Sequence, residues 1–191
     1  MGRMRLFVAV IPPERVVEDL DAFLAPRREA GPFRWTLPEQ WHLTLAFMPD
    51  VEERRLDDLL ERLARAAKRR TAFDLQVRGG GAFPNAARAR VLWAGVDGDD
   101  TARTELSRLA TGARAAASKA GAEPEGGKFR AHLTLARLGR PAEASNWVRL
   151  LEGYAGPEWR VDELALVASY LGEGPRKRPR YEVLGTNMLA R

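Results

Sequence analysis

The only two histidines in this 191-residue chain each open the same five residues. His42-Leu43-Thr44-Leu45-Ala46 recurs as His132-Leu133-Thr134-Leu135-Ala136, about half a chain length later. Four matching followers arise by chance on the order of once in 10⁴ or less, so the repeat marks two similar halves. Both copies read as strands, where side chains alternate between faces. His and Thr at i and i+2 therefore share one face, and the two leucines take the other. With the leucines against a helix layer, His and Thr are displayed on the opposite sheet face. Two such strands meeting across a pseudo-twofold axis gather two imidazoles and two hydroxyls around one concave site. That inventory suits metal-free phosphoryl chemistry, in which one imidazole takes a proton from the nucleophile and the other protonates the leaving oxygen. An ordinary pKa near ~6.5 lets histidine do either job near neutrality. The threonines can donate to phosphate oxygens, and nearby Arg130 or Arg137 can balance transition-state charge. A lone His-x-Thr in a strand is usually only a strand. Duplication, with no histidine elsewhere, gives this one weight; shared ancestry of two halves explains the leucines but not the retained histidines.

The elements that must position these residues follow from periodicity and breakers. Residues 4–11 are a nearly continuous apolar run and read as a buried strand. Pro12 and Pro13 open a helix reaching about residue 25, and 34–37 is a short extended piece. The first motif strand spans 41–47, closed by Pro49-Asp50, and 52–70 has the spacing of an amphipathic helix. Residues 72–77 and 91–96 read as strands around a glycine-rich connection at Gly79-Gly80-Gly81. A second long helix covers 101–120, the second motif strand 129–136, and a short helix 142–151. Residues 159–171 and 181–189 read as a closing hairpin. Long helices mixed with antiparallel strands indicate α+β. No Ser- or Gly-rich linker divides the chain, so one bilobal domain over 1–191 is expected, with pseudo-repeats centred on 42–46 and 132–136. Residues 121–128 (GAEPEGGK) imitate a phosphate-binding loop, but the lysine is one place late, no Ser or Thr follows, and Pro124 intrudes.

Composition excludes several classes. Without cysteine there is neither a disulfide framework nor a thiolate metal site, which suits a reducing cytoplasm. Two histidines cannot by themselves fill a zinc site. No apolar run approaches the roughly 18 residues of a membrane helix, and the start lacks a secretory pattern. The formal charge of +5 lies wholly beyond residue 100 and is densest at Arg176-Lys177-Arg178-Pro179-Arg180. This tip reads either as a solvated hairpin connection or as a cradle for a polyanion such as RNA.

Paired His-x-Thr motifs in a basic chain of this length resemble the two-histidine (2H) phosphoesterase superfamily, and within it the RNA 2′,3′-cyclic phosphodiesterases, also called 2′-5′ RNA ligases. Residues 5–10, 41–47, 81–84, 90–93 and 129–137, with the region of Ser169 and Tyr181, carry the resemblance over essentially the full chain. Ala131 departs from it, since many members have proline before the second histidine. The resemblance implies a bilobal pseudo-twofold α+β fold, with two small antiparallel sheets flanked by helices around a central cleft. It implies hydrolysis of a terminal RNA 2′,3′-cyclic phosphate, tRNA fragments among the substrates, to a 2′-phosphate, without metal or cofactor. By family analogy His42 is the proton donor and His132 the acceptor; the residues themselves leave the two interchangeable. Thr44 and Thr134 would hold phosphate oxygens. Phe7, Ser169, Tyr181, Arg130, Arg137 and the loop residues Arg176, Lys177 and Arg178 are expected to contact substrate. By alternation Arg130 faces the cleft, whereas Arg137 does so only if the strand ends or twists near Ala136. Reverse 2′-5′ ligation, small cyclic nucleotides or 2′-5′ oligonucleotides as substrates, and a non-catalytic RNA phosphate-binding module stay open. A cytoplasmic monomer without membrane attachment is expected.

Overall fold

The computed structural model describes residues 2–29 and 33–191. Strand β1 (Arg3–Val10) is the apolar run, buried from Leu6 onward. Helix α1 (Glu14–Leu24) follows the two prolines and buries Val16, Leu20 and Leu24. A two-residue strand, β2 (Arg34–Trp35), precedes the first motif strand, β3 (Leu43–Glu52). Helix α2 (Leu56–Lys68) buries Leu59, Leu63 and Ala67 at helical spacing. Strands β4 (Phe73–Phe83) and β5 (Ala89–Asp97) form a hairpin leading to α3 (Asp100–Lys119). That helix is capped by Asp99, whose carboxylate accepts from the Ala102 N–H at 2.8 Å. Strand β6 (His132–Ala142), α4 (Ser145–Glu152), β7 (Ala155–Val161), β8 (Glu163–Tyr170) and β9 (Arg180–Met188) complete the chain. Among the described residues no helix is long and apolar enough to cross a membrane.

The strands form one nine-stranded sheet in the order β7-β4-β5-β6-β3-β1-β8-β9, with β2 beside β6. The order divides into two four-stranded antiparallel halves, β3-β1-β8-β9 and β6-β5-β4-β7. They meet at a single residue pair, Leu43 with Leu133. These are the second residues of the two motif copies, so the pseudo-twofold axis passes between them. The two small sheets of the α+β expectation are thus present and hydrogen-bonded together at their centre. Two of the helices tie the halves together, while α2 and α4 pack on strands of their own half. Helix α1 packs on β7 of the other half, α3 spans β3 and β4, and α2 lies against α3, β8 and β9. Leu20, Leu63, Leu109, Leu133 and Leu166 accordingly belong to one buried cluster.

Three local departures from the sequence pattern have identifiable causes. The expected strand 159–171 is two strands broken at Asp162: β7 pairs with β4, and β8 crosses to pair with β1 in the other half. Trp159 and Val161 before Asp162 and Leu164 to Ala168 after it are all buried, and no glycine or proline separates them, so the residue types there do not mark the crossing. Strand β3 runs on past Pro49 because a register shift opposite Met4–Leu6 leaves Pro49 and Asp50 outside the ladder. The glycine run is no connection but part of β4. Val77 pairs with Val96 and Gly80 with Ala94, so two residues face one and a bulge results. Gly79 supplies the left-handed backbone there, φ +68°, with open space where a Cβ would lie. Gly79→Ala should therefore cost only the left-handed penalty, about 1–2 kcal/mol. The expected readout is a lower urea midpoint at unchanged m-value.

Candidate active site

His42 immediately precedes β3 and His132 begins β6, so the sheet seam places both rings at the same level. Leu43, Leu45, Leu133 and Leu135 are fully buried on the helix side, while the histidines and threonines are partly exposed on the other. The Leu43–Leu133 pairing, continued antiparallel, sets Thr134 across from His42 and Thr44 across from His132. All four residues line one cleft of about 620 Å³.

The same local bond orients each ring. Nδ1 of His42 donates to the Gln40 carbonyl at 2.8 Å, and Nδ1 of His132 to the Arg130 carbonyl at 2.7 Å. A carbonyl oxygen can only accept, so both bonds hold the proton on Nδ1. Nε2 is left as the basic nitrogen of the neutral ring or as a donor once protonated. The surroundings of the rings differ. His42 stacks on Phe7 (centroids 4.4 Å, planes 21° apart) and meets Tyr181 edge-on at 5.6 Å. His132 meets Phe83 at 5.0 Å and Trp93 at 6.0 Å. Gly81 makes room for that indole, since a Cβ there would lie 2.4 Å from it. Burial pushes His42 down to about 4, opposed by its bond to Gln40, with His132 and Arg137 adding repulsion. Burial also lowers His132, opposed by the Arg130 carbonyl and reinforced by the Arg137 and Arg130 charges. The Tyr181 hydroxyl is pushed up, again chiefly by burial.

Arg137 reaches the cleft through a bulge. Trp93 pairs with Thr134 and Leu92 with Ala136, which leaves Leu135 unpaired. One extra residue reverses the alternation, and Arg137 joins Thr134 on the cleft face. The first copy has the same device. Ala9 pairs with Thr44 and Val8 with Ala46, Leu45 is unpaired, and Phe47 lines the cleft. Arg130 goes the other way: it precedes the strand, its guanidinium lies 5.5 Å over the Phe83 ring, and it is outside the cleft lining. Strict alternation fails for both arginines because β6 starts three residues later than read and is bulged at Leu135.

Phe7, Ser169, Tyr181, Lys177 and Arg178 also line the cleft, and Arg176 does not. The basic loop is latched to the segment around β2. Nη2 of Arg34 donates to the Arg176 carbonyl at 3.3 Å, the Arg178 guanidinium to the Trp35 carbonyl at 2.8 Å, and Gln40 to the Pro179 carbonyl at 2.7 Å. Arg176 and Lys177 hold left-handed backbone at φ 54° and 64°, a strained pair at the rim. Arg5, Arg34, Trp35, Phe47 and Glu125 line the cleft as well and were not singled out from sequence. Arg5 has a readable signal, since it shares strand parity with Phe7. Glu125 has none, because it sits in the irregular 121–128 segment, held by its N–H on the Phe47 carbonyl at 2.8 Å.

Paired imidazoles of one fixed tautomer, set at the seam of two similar half-sheets, define a two-histidine phosphoesterase. The family model described as LigT like Phosphoesterase matches residues 10–93 and 96–176, and the chain belongs to that family. The RNA 2′,3′-cyclic phosphodiesterase of Thermus thermophilus is 36% identical over 190 residues, covering 95% of this chain and 88% of that protein. The Archaeoglobus fulgidus protein of the same name is 32% identical over 169 residues, covering 88% and 92%. The crystal structure of E. coli LigT complexed with 3′-AMP matches with a TM-score of 0.76 at 26% identity and 100% coverage of both chains.

The enclosed His42 also links stability to pH. Its folded-state pKa lies below the unfolded value, so the unfolded chain binds the extra proton. Stability is complete above about pH 6.5 and falls as pH drops toward about 4, by roughly 2–3 kcal/mol from this group. His42→Gln should flatten that part of the stability profile, read as urea midpoints between those pH values.

Proposed function

We propose that the protein hydrolyses a 2′,3′-cyclic phosphate at the end of an RNA to a 2′-phosphomonoester, with His42 and His132 as a general acid–base pair and without a metal ion. The observation that carries the reading is the matched tautomer, which leaves two Nε2 atoms, one from each half, free at one cleft. Nε2 of His132, the less enclosed ring, accepts a proton from water as the water oxygen bonds to phosphorus. The P–O3′ bond breaks on the far side, and Nε2 of His42 gives its proton to the departing 3′ oxygen. Thr44 and Thr134 donate to the non-bridging oxygens, and Arg137 offsets the charge gathering there. Among the lining residues only Glu125 is a carboxylate, so the site is built for an anion. The names of the Thermus and Archaeoglobus relatives and the 3′-AMP in E. coli LigT support a nucleotide phosphate as that anion. With a 5′-hydroxyl in place of water, the reverse sequence of proton transfers forms a 2′-5′ linkage. The enzyme acts as a cytoplasmic monomer on this reading, and RNA fragments such as those of tRNA are its substrates.

A proton donor with a pKa near 4 is deprotonated at neutrality in the empty cleft. The phosphate anion changes that, because its charge favours the imidazolium in a poorly solvated site. An acid that burial inclines to lose its proton then delivers it readily to an alkoxide. The test is turnover of RNA ending in a 2′,3′-cyclic phosphate, with EDTA present. Wild type should be active and yield the 2′-phosphate, and His42→Ala and His132→Ala should each lose roughly 10²–10⁴-fold in kcat. Undiminished activity in both variants, or activity that EDTA abolishes, overturns the reading.

The pH profile gives a separate check. The active free enzyme needs one ring protonated and one neutral, and both rings lie below their ordinary value. The alkaline limb of kcat/KM should therefore fall below about pH 6.5, while that of kcat, set in the anion complex, lies higher. Arg137→Gln removes a charge that lowers both rings, so it should move the kcat/KM limb upward while reducing the overall rate.

A further inference from the structure

On the helix side of the sheet, away from the cleft, α2 and α3 lie antiparallel. Arg70 meets Glu105 at 3.8 Å near one end, and Gly121 lies beside Arg55 near the other. Between them runs a groove of about 460 Å³ lined by the small residues Ala66, Gly112, Ala115 and Ala116. Six cations line it, Arg62 and Arg65 from α2, Arg69 and Arg70 just past its end, and Arg108 and Lys119 from α3, and no carboxylate does. Three of these bridge to acids outside the groove: Arg62 to Asp58, Arg65 to Glu61 and Arg70 to Glu105. Arg69, Arg108 and Lys119 are exposed and have no carboxylate partner among the described residues.

Compensation of helix dipoles does not explain the set. It accounts for basic residues in the last turn of α2 and for Lys119 at the end of α3. Arg108 sits in the first half of α3 and Arg62 in the middle of α2, where that effect has faded. On α3 the charged rim from Arg108 to Lys119 is about 16 Å long at the helical rise. The lining offers no aromatic ring on which a base could stack, so recognition would be through phosphates and indifferent to sequence. The end of α3 is also tied by a short segment to the cleft wall. Lys119 ends α3, and the six residues that follow lead to Glu125 in the cleft wall, a reach of at most about 20 Å.

We propose that the α2–α3 groove holds the backbone of the RNA whose 3′ end occupies the cleft, as a second, sequence-independent phosphate site. This rests on the reading of the cleft as the place of an RNA 2′,3′-cyclic phosphate. The strand leaves the cleft past Glu125, passes the end of α3 and lies between the two cationic rims a few nucleotides later. A dinucleotide fills the cleft alone and does not reach the groove.

The test is the triple variant Arg69→Gln/Arg108→Gln/Lys119→Gln, which strands no carboxylate because none of the three is bridged. Binding of an RNA of about twenty nucleotides ending in a 3′-phosphate is followed by anisotropy against salt. The wild-type slope of log K on log salt should become less steep by about 2, at roughly 0.7 per lost phosphate contact, and Kd should rise about tenfold at low salt. Turnover of a dinucleotide 2′,3′-cyclic phosphate should not change. Arg69→Lys/Arg108→Lys, which keeps the charges, should bind the long RNA like wild type. An unchanged slope and Kd overturn the proposal. So does an equal loss on the dinucleotide, which would mean that the charges act only through the field at the cleft. If wild type binds the long RNA as expected but cleaves neither substrate, the groove stands and the activity reading falls.

Discussion

The backbone pairing of Leu43 with Leu133 is the joint on which the site depends. Among the described residues it is the only pairing between named strands of the two four-stranded halves, apart from which an isolated bridge joins Thr71 to Ala190, and it lies one residue from each imidazole. A seam so short could not hold two independent sheets in register. Registration comes from the helices, which cross between halves: α1 leaves β1 to pack on β7, and α3 bridges β3 and β4. The chain crosses back at Asp162, so that β8 closes the half in which β1 began. Moving one half against the other would break a shared buried cluster rather than one hydrogen-bond pair. The imidazoles are thus fixed relative to each other by the whole core, although only one pairing joins their strands.

The repeated pentapeptide carries more than two side chains of interest. In both copies the fourth residue, Leu45 or Leu135, is buried and left out of the ladder. That bulge turns the sixth position into the cleft, and there the copies diverge. The position is Phe47 in one half, with the Arg5 guanidinium 4.4 Å over its ring, and Arg137 in the other. Symmetry in the first five residues gives two equivalent histidine positions, and asymmetry at the sixth gives the cleft a polarity. One end presents a cation to phosphate oxygens, and the other presents an aromatic surface flanked by Phe7 and Tyr181.

The parts of this arrangement that sequence reveals are those that depend on residue type and period. The four helices were legible from amphipathic spacing, and the four catalytic-type side chains from the duplicated motif. The crossing at Asp162 was not, because buried apolar residues flank it on both sides without a glycine or proline between, and nothing distinguishes which half buries them. The bulges were hidden for a related reason, since a leucine is buried whether it is paired or expelled from the ladder. Strict alternation then assigned Arg130 and Arg137 to the wrong faces. The glycine run looked like a connection because glycine marks both turns and bulges, and only the pairing of Gly80 with Ala94 separates the two. Glu125 reaches the cleft from a segment without period, anchored by one backbone bond to Phe47.

Burial lowers both histidines, and the cations that make the cleft attractive to a phosphate add to that lowering. Arg137 lowers both rings, and the Arg178 guanidinium is itself lowered by burial and by the charges of Arg34 and Arg176. Like charges therefore lie near one another at the rim of the cleft. An entering phosphate monoanion relieves that repulsion and at the same time favours a proton on the ring it touches. Binding and protonation are thus linked, and each strengthens the other. On the proposed reading the acid is armed only when its substrate is present, so the two imidazoles do not share one protonation state. The half that holds Phe7 and Tyr181 around its histidine is the more enclosed, so the anion alters His42 more than His132. On that reading, enclosure by unequal aromatic neighbours is what lets a duplicated motif divide into an acid and a base.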